Sequence, residues 1–126
     1  SGGITFSLDD KYIFYSKLDA NHRARTIYRH KIGDFEGKDE LIFEEESEAF
    51  TVGIGKSSDE KYFYINTSDH NTSEQYYFKS DELNPSPKLI IKRERGVLYL
   101  LIHGMVNFII IQIKTLKTLK LIFVTI

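Results

Sequence analysis

Cysteine is absent from this chain. That excludes a disulfide scaffold, a thiolate zinc site and a cysteine nucleophile, and it fits a cytoplasmic protein. Acids are missing from one end: all eighteen lie at or before Glu94. The last glycine is Gly104, and Asn107 to Ile126 contains no Asp, Glu, Gly or Pro. Residues 1–94 therefore carry net charge −5 and residues 95–126 net charge +4, within a whole-chain charge of −1. No global field favours nucleic acid or an anionic membrane. The opening "SGGITFSLDD" lacks the basic and apolar stretches of a signal peptide. The tail is apolar, but Lys114, Lys117 and Lys120 sit in its middle, where each would be costly in a bilayer. Neither nucleic acid nor a membrane is expected as a partner.

What is present is strand sequence. "KYIFYSK" (11–17), "TIYRHKI" (26–32), "ELIFEE" (40–45), "FTVGI" (50–54), "KYFYINT" (61–67), "EQYYFK" (74–79), "KLIIK" (88–92) and "GVLYLLIH" (96–103) are short and rich in Tyr, Phe, Ile and Val. Turn clusters such as "GDFEGKD" and "SDELNPSP" separate them. Links this short allow antiparallel pairing and not parallel crossovers. The fold class is all-β.

The strands also repeat. "DDKYIFY" (9–15) returns as "DEKYFYI" (59–65), and Asp19 returns as Asp69. A period near 50 with four strands per unit is the mark of a β-propeller blade. The repeats run over 9–58 and 59–104, so the chain holds about two blades, and residues 96–111 begin a third. Each blade buries its faces against neighbours, and such arrays need about three units or more to stand alone.

Few residues suggest chemistry. "VGIGKSS" (52–58) resembles a phosphate loop, but the Walker pattern needs Gly where Phe50 stands and a helix where a strand follows. A dinucleotide fingerprint would need glycine at Ser58. His22, His30, His70 and His103 are scattered; Asp69, His70 and Glu74 make the one conceivable loop metal site, with no zinc or calcium spacing. No Gly-x-Ser-x-Gly elbow exists, so no serine qualifies as a nucleophile. Arg23, Arg25, Arg29, His30 and Lys31 surround Tyr28 and could meet an acidic partner, or form a strand facing solvent or a neighbouring blade. The sequons at Asn66 and Asn71 signify nothing without secretion. No catalytic, cofactor-binding or metal residue is assigned, and no cofactor is expected.

The order of these motifs resembles the propeller of the oligopeptidase B (protease II) enzymes, within the prolyl oligopeptidase family of serine peptidases. The likeness runs over residues 3–104. It rests most on the Asp-His-x-Thr-Ser-Glu string (69–74) and the Tyr-Arg-His string (28–30), which blade periodicity does not require. The resemblance implies a fragment of a seven-bladed propeller that caps an α/β-hydrolase domain, restricts access to small peptides and serves cleavage after Lys or Arg. It also implies that this chain, lacking the hydrolase domain and its Ser, Asp and His, is not itself an enzyme. Expected partners are the missing hydrolase domain and remaining blades, or peptides. The alternatives are a stand-alone protein-binding module and one chain of a split peptidase.

The tail, residues 105–126, departs from that family pattern, and a shifted reading frame accounts for it. Starting at the third base of the Met105 codon, Met-Val forces Gly, and A/T-rich codons then allow "GEFYYYTNKNAKNFK". That string restores a turn acid, an aromatic strand and a polar loop. A genuine last strand or an interaction helix carrying Leu116 and Leu119 are the rivals; Ile and Thr content works against the helix.

Overall fold

A computed structural model describes residues 4–7, 9–35, 37–57, 59–103, 108–115 and 118–124; beyond Tyr99, side chains are described only for Ile113 and Lys120. Eleven strands are described: β1 (Ile4–Phe6), β2 (Tyr12–Leu18), β3 (Ala24–Lys31), β4 (Glu40–Glu44), β5 (Thr51–Lys56), β6 (Tyr62–Ser68), β7 (Ser73–Lys79), β8 (Lys88–Ile91), β9 (Leu98–His103), β10 (Phe108–Thr115) and β11 (Thr118–Val124). They form three antiparallel sheets in sequence order: β1–β4, β5–β8 and β9–β11. We call these blades 1, 2 and 3.

A sequence repeat has no phase of its own, and the sheets supply it. The strand at 50–54, which closes the first repeat unit in sequence, is β5, and it pairs with β6 as the first strand of blade 2. Blade 1 thus runs from Ile4 to Glu44 and blade 2 from Thr51 to Ile91.

The two turns that open the blades are built identically. In blade 1, Ser7 Oγ donates to Asp9 Oδ1 at 2.7 Å and accepts from the Tyr12 amide at 3.0 Å. In blade 2, Ser57 does the same with Asp59 (2.6 Å) and Tyr62 (3.1 Å). Asp10 and Glu60 adopt the left-handed region at φ 56° and 62°. The links run over residues 7–11 and 57–61, and in each the acidic side chain accepts from the Lys11 or Lys61 amide in place of a backbone acceptor. Its hydrogen bond from Ser7, then that from the Lys11 amide, holds the Asp9 carboxyl below the usual carboxylate range.

The core lies between blades 1 and 2. Strand alternation puts Phe14, Ser16, Ile27 and Arg29 on one face of blade 1, against Phe63, Ile65 and Phe78 of blade 2. Phe14 packs on Phe63 (4.9 Å between ring centroids) and Phe78 (5.5 Å). Ile27, Phe63 and Ile65 are fully buried.

The tail joins this scheme as strands. β10 pairs with β9 from Phe108↔His103 to Ile113↔Leu98, and β11 pairs with β10. Its Ile, Phe and Thr content favours a pleated strand over a helix, so the interaction-helix rival does not describe residues 108–115 or 118–124. Gly104, Met105, Leu116 and Lys117 lie outside the described residues.

Candidate functional site: the seam between blades

Side-chain hydrogen bonds and an ion-pair cluster tie blade 1 and its exit segment to blade 2 along the seam between them. At one end it is closed by Arg93. Its Nη2 donates to Glu74 Oε1 at 3.0 Å and to Glu45 Oε1, and its amide donates to Glu74 Oε2 at 2.8 Å. Glu45 leads from blade 1 into blade 2, and Arg93 leads out of blade 2. Thr67 donates to Glu45 Oε1 at 2.7 Å and Tyr76 to Glu74 Oε1 at 2.6 Å. Both carboxylates are about 5% exposed. Burial alone would raise the Glu74 pKa, but hydrogen bonds from Arg93 and Tyr76 outweigh it and leave the carboxyl below its ordinary value. Burial first, then Glu74, pushes the Tyr76 phenol up to about 12. Arg93 also stacks over Phe50, with Cζ 4.1 Å from the ring centroid.

The basic run finds its partners here. Arg23, Arg25, Ile27 and Arg29 share the face toward blade 2. Arg23 donates to the Glu48 carbonyl. Arg25 donates to the carbonyls of Glu45 (3.0 Å) and Glu46 (3.2 Å). Arg29, 5% exposed, crosses to the β7–β8 loop, where Nη1 donates to the Leu83 carbonyl at 3.0 Å; its Nη2 pairs with Glu40 at 2.6 Å. Its guanidinium lies over the Tyr12 ring and borders an open cavity of about 210 Å³. The three arginines of the run therefore face the neighbouring blade and the segment leading into it, and their acceptors are mostly carbonyls of this chain.

The Asp69–Glu74 string bridges toward blade 3. Asp69 caps its own turn, accepting from the amides of Asn71 (2.9 Å) and Thr72 (2.8 Å), which lowers its carboxyl pKa. Thr72 Oγ1 accepts from the Gly96 amide at 2.9 Å, where Gly96 sits at φ +80°. Ser73 Oγ accepts from the Tyr99 amide at 2.7 Å, and Gln75 donates to the Tyr99 carbonyl at 3.2 Å. The 69–74 string thus makes contacts between blades, whereas in the 28–30 string only Arg29 does among the described residues.

On the face of blade 1 turned away from blade 2, Tyr15 donates to Asp39 Oδ2, and His30 Nδ1 lies 2.7 Å from Asp39 Oδ1. Hydrogen bonds from Tyr15, then His30, hold the Asp39 carboxyl low. Burial, then Asp39, pushes the Tyr15 phenol up to about 12, so it is a hydrogen-bond donor and a poor nucleophile. Sequence reading did not join these three residues; their cross-strand placement, Ile13↔His30 and Tyr15↔Tyr28, is the signal that could have done so.

The other candidates separate. Gly53 and Gly55 lie within β5 without positive φ, and strand β6 follows, so no phosphate cradle forms; Ser58 lies outside the described residues. Among the described residues, no group of three or more His, Asp or Glu is placed to hold a metal ion, and His70 stands on the exposed β6–β7 turn. The described residues contain no helix long and apolar enough to cross a membrane.

Comparison with known proteins agrees with this architecture. Residues 1–126 match the family described as prolyl oligopeptidase, N-terminal beta-propeller domain. The chain is 36% identical over 88 residues to Protease 2 of Moraxella lacunata, covering 70% of this chain and 13% of that protein. It is 32% identical over 97 residues to human prolyl endopeptidase-like protein, covering 75% and 13%. In structure it is similar to oligopeptidase B from Trypanosoma brucei, solved with covalently bound antipain in a closed form: TM-score 0.85 and 24% identity over 96% of this chain and 18% of that one. Oligopeptidase B from Leishmania major gives TM-score 0.81 at 24% identity, over 88% and 16%. The chain spans about one eighth of the length of these curated relatives.

Proposed function

Because this chain belongs to the N-terminal β-propeller family of the prolyl oligopeptidases, we propose that it is a non-catalytic wall section of the propeller of an oligopeptidase B-like serine peptidase. In the parent enzyme this wall gates small peptides to a hydrolase domain that cleaves after Lys or Arg. The observation that carries the reading is the succession of three sheets whose polar contacts run from blade to blade, on a fold similar to oligopeptidase B over 96% of the chain. A wall built this way resists splaying, because each blade clamps the segment leading into the next. The expected compartment is the cytoplasm.

The test is a peptidase assay of the purified chain, free of lysate, on an Arg- or Lys-ending chromogenic peptide. No turnover is expected; clear turnover by the chain alone overturns the reading. For residues 105–126 we retain the shifted-frame reading, supported by their lack of acids and turn residues. DNA sequence across the Met105 codon tests it. A shifted frame continuing into a Gly-x-Ser-x-Gly reading frame is expected, and the absence of one overturns it.

A further inference from the structure

The seam between blades 1 and 2 has a second end, away from the Arg93 clamp. There the β1–β2 turn of blade 1 and the β7–β8 link of blade 2 border the cavity of about 210 Å³. That volume suits a single amino acid, since sites for drug-sized ligands run to about 300–1,000 Å³. Tyr12, Phe14 and Leu83 give it apolar walls. Its hydroxyls are spent. Ser7 serves Asp9 and the Tyr12 amide, and Ser80 Oγ donates to the Glu60 carbonyl at 2.7 Å. Two polar features are not spent. The first is a donor. Arg29 is 5% exposed and uses Nη1 on Leu83 and Nη2 on Glu40, but its Nε is buried with no hydrogen-bond partner among the described residues. Buried N–H groups are rarely left so. The second is negative charge. Asp9, Asp81 and Glu82 line the cavity against one guanidinium, which Glu40 already pairs. Asp81 is exposed and makes no side-chain hydrogen bond or ion pair among the described residues.

We propose that this cavity binds a basic amino acid, with its carboxylate accepting from Arg29 Nε and its cationic groups at Asp81 and Asp9. The orphaned donor calls for an acceptor, and a carboxylate makes the stronger, charge-assisted bond to a guanidinium. Three carboxylates around an already paired arginine disfavour any ligand of net negative charge. The acceptor must therefore arrive with a larger positive charge on the same molecule. Tyr12 and Leu83 offer apolar surface to the methylene stem of an arginine or lysine. Two of the carboxylates are held in place before a ligand arrives. Asp9 commits Oδ1 to its turn, and Glu82 accepts from the Lys79 and Ser86 amides at 3.4 and 3.3 Å. Such fixed groups lose little freedom on binding. Carboxylate and cation are shared by a free basic amino acid and by the C-terminal residue of a peptide. The inference does not rest on the peptidase reading.

An NMR titration of the isotope-labelled chain with L-arginine is the test. The amides of Lys11, Tyr12, Asp81 and Glu82 and the Arg29 Nε–H should shift together and saturate with a Kd on the order of 1 mM. L-Citrulline has the same length without the side-chain charge, and L-argininamide lacks the carboxylate. Each should bind about tenfold more weakly, or worse. L-Argininamide should also leave the Arg29 Nε–H signal in place. Asp81→Asn, at an exposed side chain whose change the fold tolerates, should weaken L-arginine about threefold or more. Either analogue binding as tightly as L-arginine overturns the proposal, as do shifts confined to other residues. An Asp81→Asn chain of unchanged affinity overturns it too. Should that variant misfold, the analogue series on the unaltered chain decides. N-acetyl-L-arginine separates the two sources of the ligand. Binding equal to that of L-arginine assigns a peptide's C-terminal residue, and weaker binding assigns the free amino acid.

Discussion

Blades 1 and 2 share turns, register and even the strained residues Asp10 and Glu60, yet they differ in what their equivalent faces touch. Phe63 and Phe78 are at most 1% exposed because blade 1 lies on them. Their counterparts Ile13 and His30 lack such a cover among the described residues and are only half-buried. The lesson is that local sequence builds each blade, while the neighbour decides what a given position contributes. A repeat can keep its backbone and exchange an apolar face for one carrying Tyr15, Lys17 and His30.

The strongest way to break this comparison is to cut equivalent side chains. Phe63→Ala should destabilise the chain by about 3–5 kcal/mol, the range for a buried aromatic. Ile13→Ala, with its side chain half in water, should cost about 1 kcal/mol. Urea unfolding of both variants measures the gap, and equal losses would erase the distinction between the two faces.

Next comes the clamp. Arg93→Met leaves Glu45 and Glu74 buried beside each other, with an expected loss of about 2–3 kcal/mol at neutral pH. The pH dependence sharpens it. Glu74 has a folded pKa below the ordinary glutamate value of 4.5, so its contribution is complete above that value and is lost as pH falls through the folded pKa. The advantage of the wild-type chain over Arg93→Met should therefore shrink below about pH 4.5. An advantage that stays constant down to pH 3 would remove Glu74 from the clamp.

The smallest effect tests sameness rather than difference. Ser7→Ala and Ser57→Ala each remove one turn hydroxyl, and each should cost about 1 kcal/mol. Unequal losses would show that the turns, not only the faces, have diverged.

Much of this fold was legible before the structure. Tyr, Phe and Ile runs between Asp-, Ser- and Gly-bearing turns marked the eight strands from β2 to β9, and "DDKYIFY" with "DEKYFYI" marked the period. Phase was not legible, since a period alone does not say which strand opens a sheet. The seam was legible only in part. Alternation puts part of the basic run on one strand face, but the acceptors of Arg23, Arg25 and Arg29 are mostly backbone carbonyls, which leave no trace in side-chain identity. The Glu45–Arg93 pair spans 48 residues, and no local pattern points from one to the other. Of the two strings that set the resemblance, 69–74 makes contacts between blades, and 28–30 contributes Arg29 to them.

Hydroxyl-radical footprinting of the intact chain tests the covered and open faces most directly. Phe6 and Leu41, on the open face of blade 1, should be modified rapidly, and Phe63 and Phe78, in the seam, should be protected until the chain unfolds. Comparable modification of all four residues under native conditions would contradict a closed seam between the two blades.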